Sequence, residues 1–236
     1  MFARDLSVAR YRSFDSYRLA LSDGVTVLAG PNAAGKTNLI EALQLLTSGA
    51  SFRHPTAAEL VHDGVGSCKV ELRLEGDGRV LDMGLSVEDG KRSFSRNGKR
   101  CAASGVRGVL PSVLFCPDHL DMVKRGASVR RTALDDFGVQ LSARYADLAS
   151  AYGRCVTQRN ALLKETWCCR EMLGAWNESI ARAGSALLVH RLALLDRLSG
   201  HVCDAYGRRA RRCVLCVHAW RPASHRGSRR AQGLGV

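Results

Sequence analysis

The chain has no hydrophobic run as long as a membrane span, and its first residues lack the apolar segment of a secretory signal. Prolines number only five and aromatic residues make up only 6% of the sequence, but the 46% of hydrophobic residues suffices for a folded core. The nine cysteines are scattered and odd in number, unlike a disulfide framework. We therefore expect a cytoplasmic protein with reduced thiols and no membrane partner.

Acidic residues are missing from the end of the chain. The 32 residues after Asp204 contain eight arginines and no carboxylate, so residues 1–204 hold only +5 of the net charge of +13. A strongly basic protein usually binds nucleic acid, but here most of the charge lies in a segment with weak periodicity. We interpret residues 207–236 as a basic tail of doubtful origin. It is either a disordered segment that binds nucleic acid or the product of a shifted reading frame.

The sequence does contain a phosphate-binding motif, G-x-x-x-x-G-K-T, at residues 30–37. The apolar run Val25–Ala29 precedes it and predicts a buried strand, and an amphipathic helix is predicted after it. In that setting the loop amides and the helix N-terminus would hold the phosphates of ATP. Lys36 would reach the terminal phosphates, and the Thr37 hydroxyl would ligate Mg²⁺. The predicted ATP-binding residues are Gly30, Pro31, Asn32, Ala33, Ala34, Gly35, Lys36 and Thr37.

Residues 69–101 alternate between apolar and charged side chains, which predicts β-strands. Turn signals separate the runs at Gly76–Gly78, Asp89–Gly90 and Asn97–Gly98, so we predict an antiparallel meander. Further strands are predicted near Phe2–Ala9 and at Ser112–Cys116. Together these elements indicate an α/β domain over residues 1–120.

A helical region follows, because no proline occurs between Pro117 and Pro222. Apolar residues recur at helical spacing from Leu134 to Val156 and again from Met172 to Leu198. We predict two long helices that are joined near residues 164–170 and pack as an antiparallel pair, forming a helical domain over residues 121–206.

Several blocks, taken in order, resemble the RecF family, which is related to the SMC and Rad50 ATPase heads. The resemblance covers about residues 1–205 and is carried by Arg10–Phe14, Gly30–Ala42, Ser51–Arg53, Leu114–Asp118, Arg130–Asp135, Tyr152, Gln158–Lys164, Trp176–Asn177 and Gly184–Arg191. It implies an ATPase head of the ABC type, with a mixed sheet, an antiparallel meander and an inserted helical arm. It further implies binding of ATP and of single-stranded or gapped DNA, an ATP-dependent homodimer, work with recombination mediator proteins in loading recombinase, and a part in the SOS response.

Two features depart from the family pattern. Ala33 stands where many relatives carry glycine, which is acceptable if its φ is negative. The signature loop and the apolar strand that ends in paired carboxylates do not occur, so we expect weak or no ATP hydrolysis. Three segments resemble them superficially, Leu134–Asp136, Leu192–Asp196 and Leu198–Gly200, and we interpret all three as structural.

The sequence also allows other interpretations. The alternative function is a P-loop kinase for small molecules or nucleosides, and a weaker one is an inactive interaction protein that uses only the arm. A zinc site made of Cys203, Cys213, Cys216 and His218 is disfavoured by irregular spacing. The candidate residues for neutralising DNA phosphates, which could equally be solvated surface charges, are Arg53, Lys91, Arg92, Arg96, Lys99, Arg100, Lys124, Arg125, Arg130 and Arg131.

Overall fold

A computed structural model of the chain describes residues 1–164 and 170–207. Its strands form one sheet in the order β2-β1-β3-β4-β5-β6, and every strand pair in the described ranges is antiparallel. The strands are β1 (Phe2–Tyr11), β2 (Phe14–Ala20), β3 (Ser67–Gly76), β4 (Arg79–Glu88), β5 (Lys91–Arg96) and β6 (Lys99–Cys101). The predicted meander is therefore present as β3 to β6.

The meander turns at the predicted positions. Asp89 and Gly90 have φ values of 49° and 70°, and Asn97 and Gly98 have 49° and 74°. Two successive residues with positive φ make the type of two-residue turn whose twist matches that of antiparallel strands. Aspartate and asparagine tolerate this conformation better than other residues with a side chain, which is why the two dipeptides predict hairpins.

One face of the sheet packs against helix α1 (Lys36–Ser48) to form the core of the head. Strand β3 supplies Cys68, Val70, Leu72 and Leu74 to this core, while the residues between them are exposed. Burial of each such aliphatic side chain contributes about 1.5–3 kcal/mol to the hydrophobic free energy of folding. The alternation fixes the register, because a slip of one residue would move the whole apolar set to solvent.

Two of the strand predictions are wrong. Residues 25–29 and 112–116 have no assigned secondary structure and are not in a β-ladder with any other described residue. Val25 and Val113 are 84% and 77% exposed. A strand requires a hydrogen-bonded neighbour, and the described sheet presents none to either segment. Among the described residues the sheet is therefore antiparallel throughout.

The helical region begins with two short helices, α2 (Ala103–Val106) and α3 (Asp121–Lys124), and continues with α4 (Ala127–Leu141), α5 (Ala143–Leu162) and α6 (Arg170–Gly207). The first predicted helix is two helices, because Ser142 has extended dihedral angles (φ −149°, ψ 121°). Its hydroxyl accepts a hydrogen bond from the backbone N–H of Tyr145 and so caps α5. The second long helix, α6, is confirmed.

Helices α4, α5 and α6 share a second apolar cluster around Tyr145, Leu187 and Leu194. Arg159 near the end of α5 donates to Asn177 near the start of α6 at 2.6 Å, and the ring of Tyr145 near the start of α5 lies 6.3 Å from that of His190 further along α6. The two helices are therefore antiparallel, as predicted. Helices α4, α5 and α6 thus enclose a core that is separate from the core of the head.

The head contacts the helical arm through Ser112, which lies beside the end of α1. The hydroxyls of Thr47 and Ser112 lie 2.7 Å apart, and the backbone N–H of Ser112 donates to the side-chain oxygen of Gln140 in α4 at 3.0 Å. Gly108, at φ 74°, packs so closely that a Cβ there would collide with the carbonyl oxygen of Gln140. The predicted tail beyond residue 207 lies outside the described residues, as do Cys213, Cys216 and His218 of the disfavoured zinc set.

Candidate nucleotide-binding site

The glycine loop leads into the N-terminus of α1, as its motif requires. Gly35 caps the helix in the left-handed conformation at φ 85°, and a Cβ there would lie 2.5 Å from the ring of Phe14. Only glycine meets both conditions without strain. The loop closes through the N–H of Ala34, which donates to the carbonyl of Pro31 at 3.4 Å. This arrangement aims the start of the helix at the space above the loop.

Lys36 and Thr37 provide the polar groups at that point. The ammonium of Lys36 donates to the carbonyl oxygens of Gly30 and Pro31 at 2.8 and 2.6 Å, so it lies across the loop. The backbone N–H groups of Lys36 and Thr37 have no carbonyl within the helix to bond, because they lie in its first turn. With the helix dipole they suit an anion. The exposed Thr37 hydroxyl is a suitable oxygen ligand for Mg²⁺. These residues fit a magnesium–triphosphate group.

The loop carries one strained residue. Ala33 has a φ of 66°, so the condition set from the sequence, a negative φ, is not met. The left-handed conformation costs a residue with a Cβ about 1–2 kcal/mol. Glycine at this position would avoid the cost, and the alanine therefore weakens the loop without removing any of its donors.

A buried carboxylate that the sequence did not single out lies one turn into α1. Glu41 is fully buried and accepts two hydrogen bonds from the guanidinium of Arg12, at 2.9 and 3.1 Å. It accepts a third from the Ser51 hydroxyl at 2.6 Å, and Arg53 lies 3.5 Å away. A buried charge is tolerated only with such partners. The signal available in the sequence was a glutamate among the apolar positions of an amphipathic helix.

The same network reaches the start of the helix. Arg53 donates to the side-chain oxygen of Asn38 at 2.9 Å, and the Asn38 amide donates to the Ser13 hydroxyl at 3.1 Å. Asn38 follows Thr37 directly, so these bonds fix the first turn of α1 against the β1–β2 turn. The block 10–14 and the block 51–53 therefore support the nucleotide loop from two sides.

The basic residues suggested as DNA contacts divide into two groups. Four are engaged with protein groups: Arg53 as above, Arg92 with the carbonyl of Pro55, Arg125 with Asp121, and Arg130 with the carbonyls of Met122 and Arg125. The other six have exposed side chains: Lys91, Arg96, Lys99, Arg100, Lys124 and Arg131.

The look-alike catalytic segments are helical. Asp135 lies in α4, where Arg191 of α6 donates to both of its oxygens and the Tyr145 hydroxyl donates at 2.6 Å. Burial alone would raise the pKa of Asp135, but these hydrogen bonds and the positive charge of Arg191 hold it below the ordinary value. Asp196 and Ser199 lie within α6. All three segments thus lie within helices, and none of them is at the end of a strand.

Known proteins resemble this chain in sequence and in structure. A family described as an AAA domain matches residues 5–108. The DNA replication and repair protein RecF of Paenarthrobacter aurescens (strain TC1) is 36% identical over 216 residues, which cover 88% of this chain and 54% of the relative. RecF of Streptomyces avermitilis is 33% identical over 217 residues, covering 87% and 58%. A solved structure of the recombination mediator protein RecF-ATPrS superposes with a TM-score of 0.83 at 25% identity, covering 89% of this chain and 58% of that one.

The sheet, the glycine loop and the helical arm thus define an α/β P-loop ATPase head of the ABC type. The chain belongs to the RecF family, as the resemblance implied. It spans somewhat more than half the length of the curated relatives it matches. Within the described ranges, no helix combines the length and the apolar character needed to cross a bilayer.

Proposed function

We propose that this chain binds ATP with Mg²⁺ and binds DNA in replication and recombinational repair. The observation that carries the proposal is the loop at residues 30–37, with Lys36 and the free amides of α1 around one anion site. The matched relatives are named DNA replication and repair proteins, and one solved relative is named with ATP. Those names support the same role here.

The finer parts of the proposal follow from the family. The DNA is single-stranded or gapped, the partners are recombination mediator proteins, and the ATP-bound form is a homodimer that assists recombinase loading and the SOS response. Hydrolysis is weak or absent, because the described residues include no apolar strand that ends in paired carboxylates. A purified chain that hydrolyses ATP as fast as a full-length relative would contradict this last point.

Replacement of Lys36 by alanine tests the site. We expect Lys36→Ala to abolish ATP binding in isothermal titration calorimetry with Mg²⁺ present, because the ammonium is the loop's only side-chain cation. Lys69→Ala is the matched control, since Lys69 lies exposed on β3 and pairs with Glu71. Unchanged affinity in Lys36→Ala would remove the assignment. Phosphoryl transfer to a small acceptor would instead favour the kinase alternative.

A further inference from the structure

We propose that a cleft at the far end of the head from the nucleotide loop binds the phosphates of a DNA strand. This inference rests on the proposed DNA-binding function and names the surface that performs it. The cleft has a volume of about 510 Å³, within the usual range of about 300–1,000 Å³ for ligand sites. Arg79, Arg96 and Arg107 line it, and none of the described residues that line it is acidic.

The three arginines come from three different elements that the fold brings together. Arg79 begins β4, directly after the β3–β4 turn. Arg96 is the last residue of β5 and pairs with Met83 of β4, so its side chain is on the core-facing side of the sheet. The sheet extends past the apolar core at this point, and Arg96 is therefore exposed. Arg107 follows α2 and donates from Nε to the carbonyl of Ser48 at 3.1 Å, which orients its guanidinium. Only Arg96 was among the candidates suggested by the sequence.

The charge distribution indicates an anionic ligand. Three guanidinium groups around one cleft repel each other, and an anion between them relieves that repulsion. Arginine matches phosphate oxygens with two parallel N–H donors. Ser104 adds a hydroxyl to the rim, while Leu81 and Val109 supply apolar surface. This combination suits the backbone of a nucleic acid strand, whose binding depends on neutralised phosphates.

The cleft and the nucleotide loop are separate sites at opposite ends of α1. The helix has 13 residues and is therefore about 20 Å long. Ser48, which holds Arg107, is its last residue. Substitutions in the cleft should consequently leave ATP binding intact.

The test uses the full chain and a fluorescein-labelled single-stranded oligonucleotide, with the dissociation constant measured by anisotropy over a range of salt concentrations. We expect Arg79→Gln combined with Arg96→Gln to weaken binding and to lower the log–log salt slope by about 1.4, at about 0.7 for each lost phosphate contact. Both side chains are exposed, so folding, checked by circular dichroism, should not change. The tail arginines contribute equally to every variant and cancel in the difference.

Arg144→Gln combined with Arg197→Gln removes the same charge from exposed positions on α5 and α6 and should keep the wild-type slope. If the control variant loses as much affinity and slope as the cleft variant, or if the cleft variant keeps the wild-type slope, the cleft assignment is wrong although DNA binding stands. Loss of ATP affinity in the cleft variant also overturns it. A wild-type chain that does not bind the oligonucleotide refutes the proposed DNA function itself.

Discussion

Replacement of Glu41 by glutamine should destabilise the head severely. The substitution keeps the size of the side chain but removes the charge that Arg12 and Ser51 bond, and it turns one acceptor into a donor that faces other donors. Removal of one partner from a buried ion pair costs about 3–5 kcal/mol. The Arg12 side chain is 19% exposed, so water can still solvate part of its charge after the substitution. The expected decrease in the free energy of unfolding is therefore near 3 kcal/mol, at the lower end of that range.

Hydrogen exchange of the amides in β3 and β4 is the suitable assay, because it reports the free energy of opening of the head separately from the arm. The matched control is Glu71→Gln, which removes the same charge from an exposed pair with Lys69. Exposed pairs contribute about 0–1 kcal/mol, so the control should change little. A double-mutant cycle with Arg12→Gln isolates the interaction between the two side chains.

The expected coupling energy between Arg12 and Glu41 is about 2 kcal/mol, near the upper part of the range for directly bonded residues. A loss below about 1 kcal/mol in Glu41→Gln, or a coupling energy near zero, would refute the reasoning. Either result would mean that the buried carboxylate is solvated or paired differently in solution.

Two further predictions concern the loop and the arm. Ala33→Gly should raise the free energy of unfolding by about 0.5–1 kcal/mol in thermal denaturation, because relief of a left-handed alanine outweighs the added flexibility of the unfolded chain; a loss of stability would contradict the strain. Asp135→Asn should lower stability at pH 7 and flatten its acid dependence in urea titrations. The folded arm holds the pKa of Asp135 below its ordinary 3.8, so its contribution is complete above that pH and is lost as pH falls through 3.8 to the folded value. An acid limb identical to that of the wild type would contradict this role.

Local chemistry explains why much of the fold was predictable. The hairpin turns at Asp89–Gly90 and Asn97–Gly98 depend on two residues each, and the period of two in β3 follows from one buried face. The glycine loop depends on its own backbone and on the helix after it. In each case the interactions that decide the structure lie within a few residues, so the sequence carries them directly.

The wrong predictions concern structure that depends on residues distant in the sequence. Val25–Ala29 was predicted as a strand from its apolar composition, yet a strand also needs a neighbour, which no local pattern can supply. The stripe from Leu134 to Val156 continues at helical spacing through Ser142, whose extended backbone ends the first helix and whose hydroxyl caps the second. The partners of Glu41 come from the β1–β2 turn and from the loop at Ser51, which are distant in sequence, so no local pattern could predict that network.

Helix α1 is the element on which these features converge. Its first turn presents Lys36 and Thr37 to the phosphate site, and its middle carries Glu41 with the supports from Arg12 and Arg53. Near its end, Thr47 bonds Ser112, which in turn bonds Gln140 of the arm, and Ser48 holds Arg107 of the cleft. Because Lys36 and Ser48 lie at opposite ends of this helix, about 20 Å apart, the proposed ATP and DNA sites share one element without sharing a side chain. Each site can therefore be removed by substitution while the other is left in place, which is what makes the two proposals separately testable.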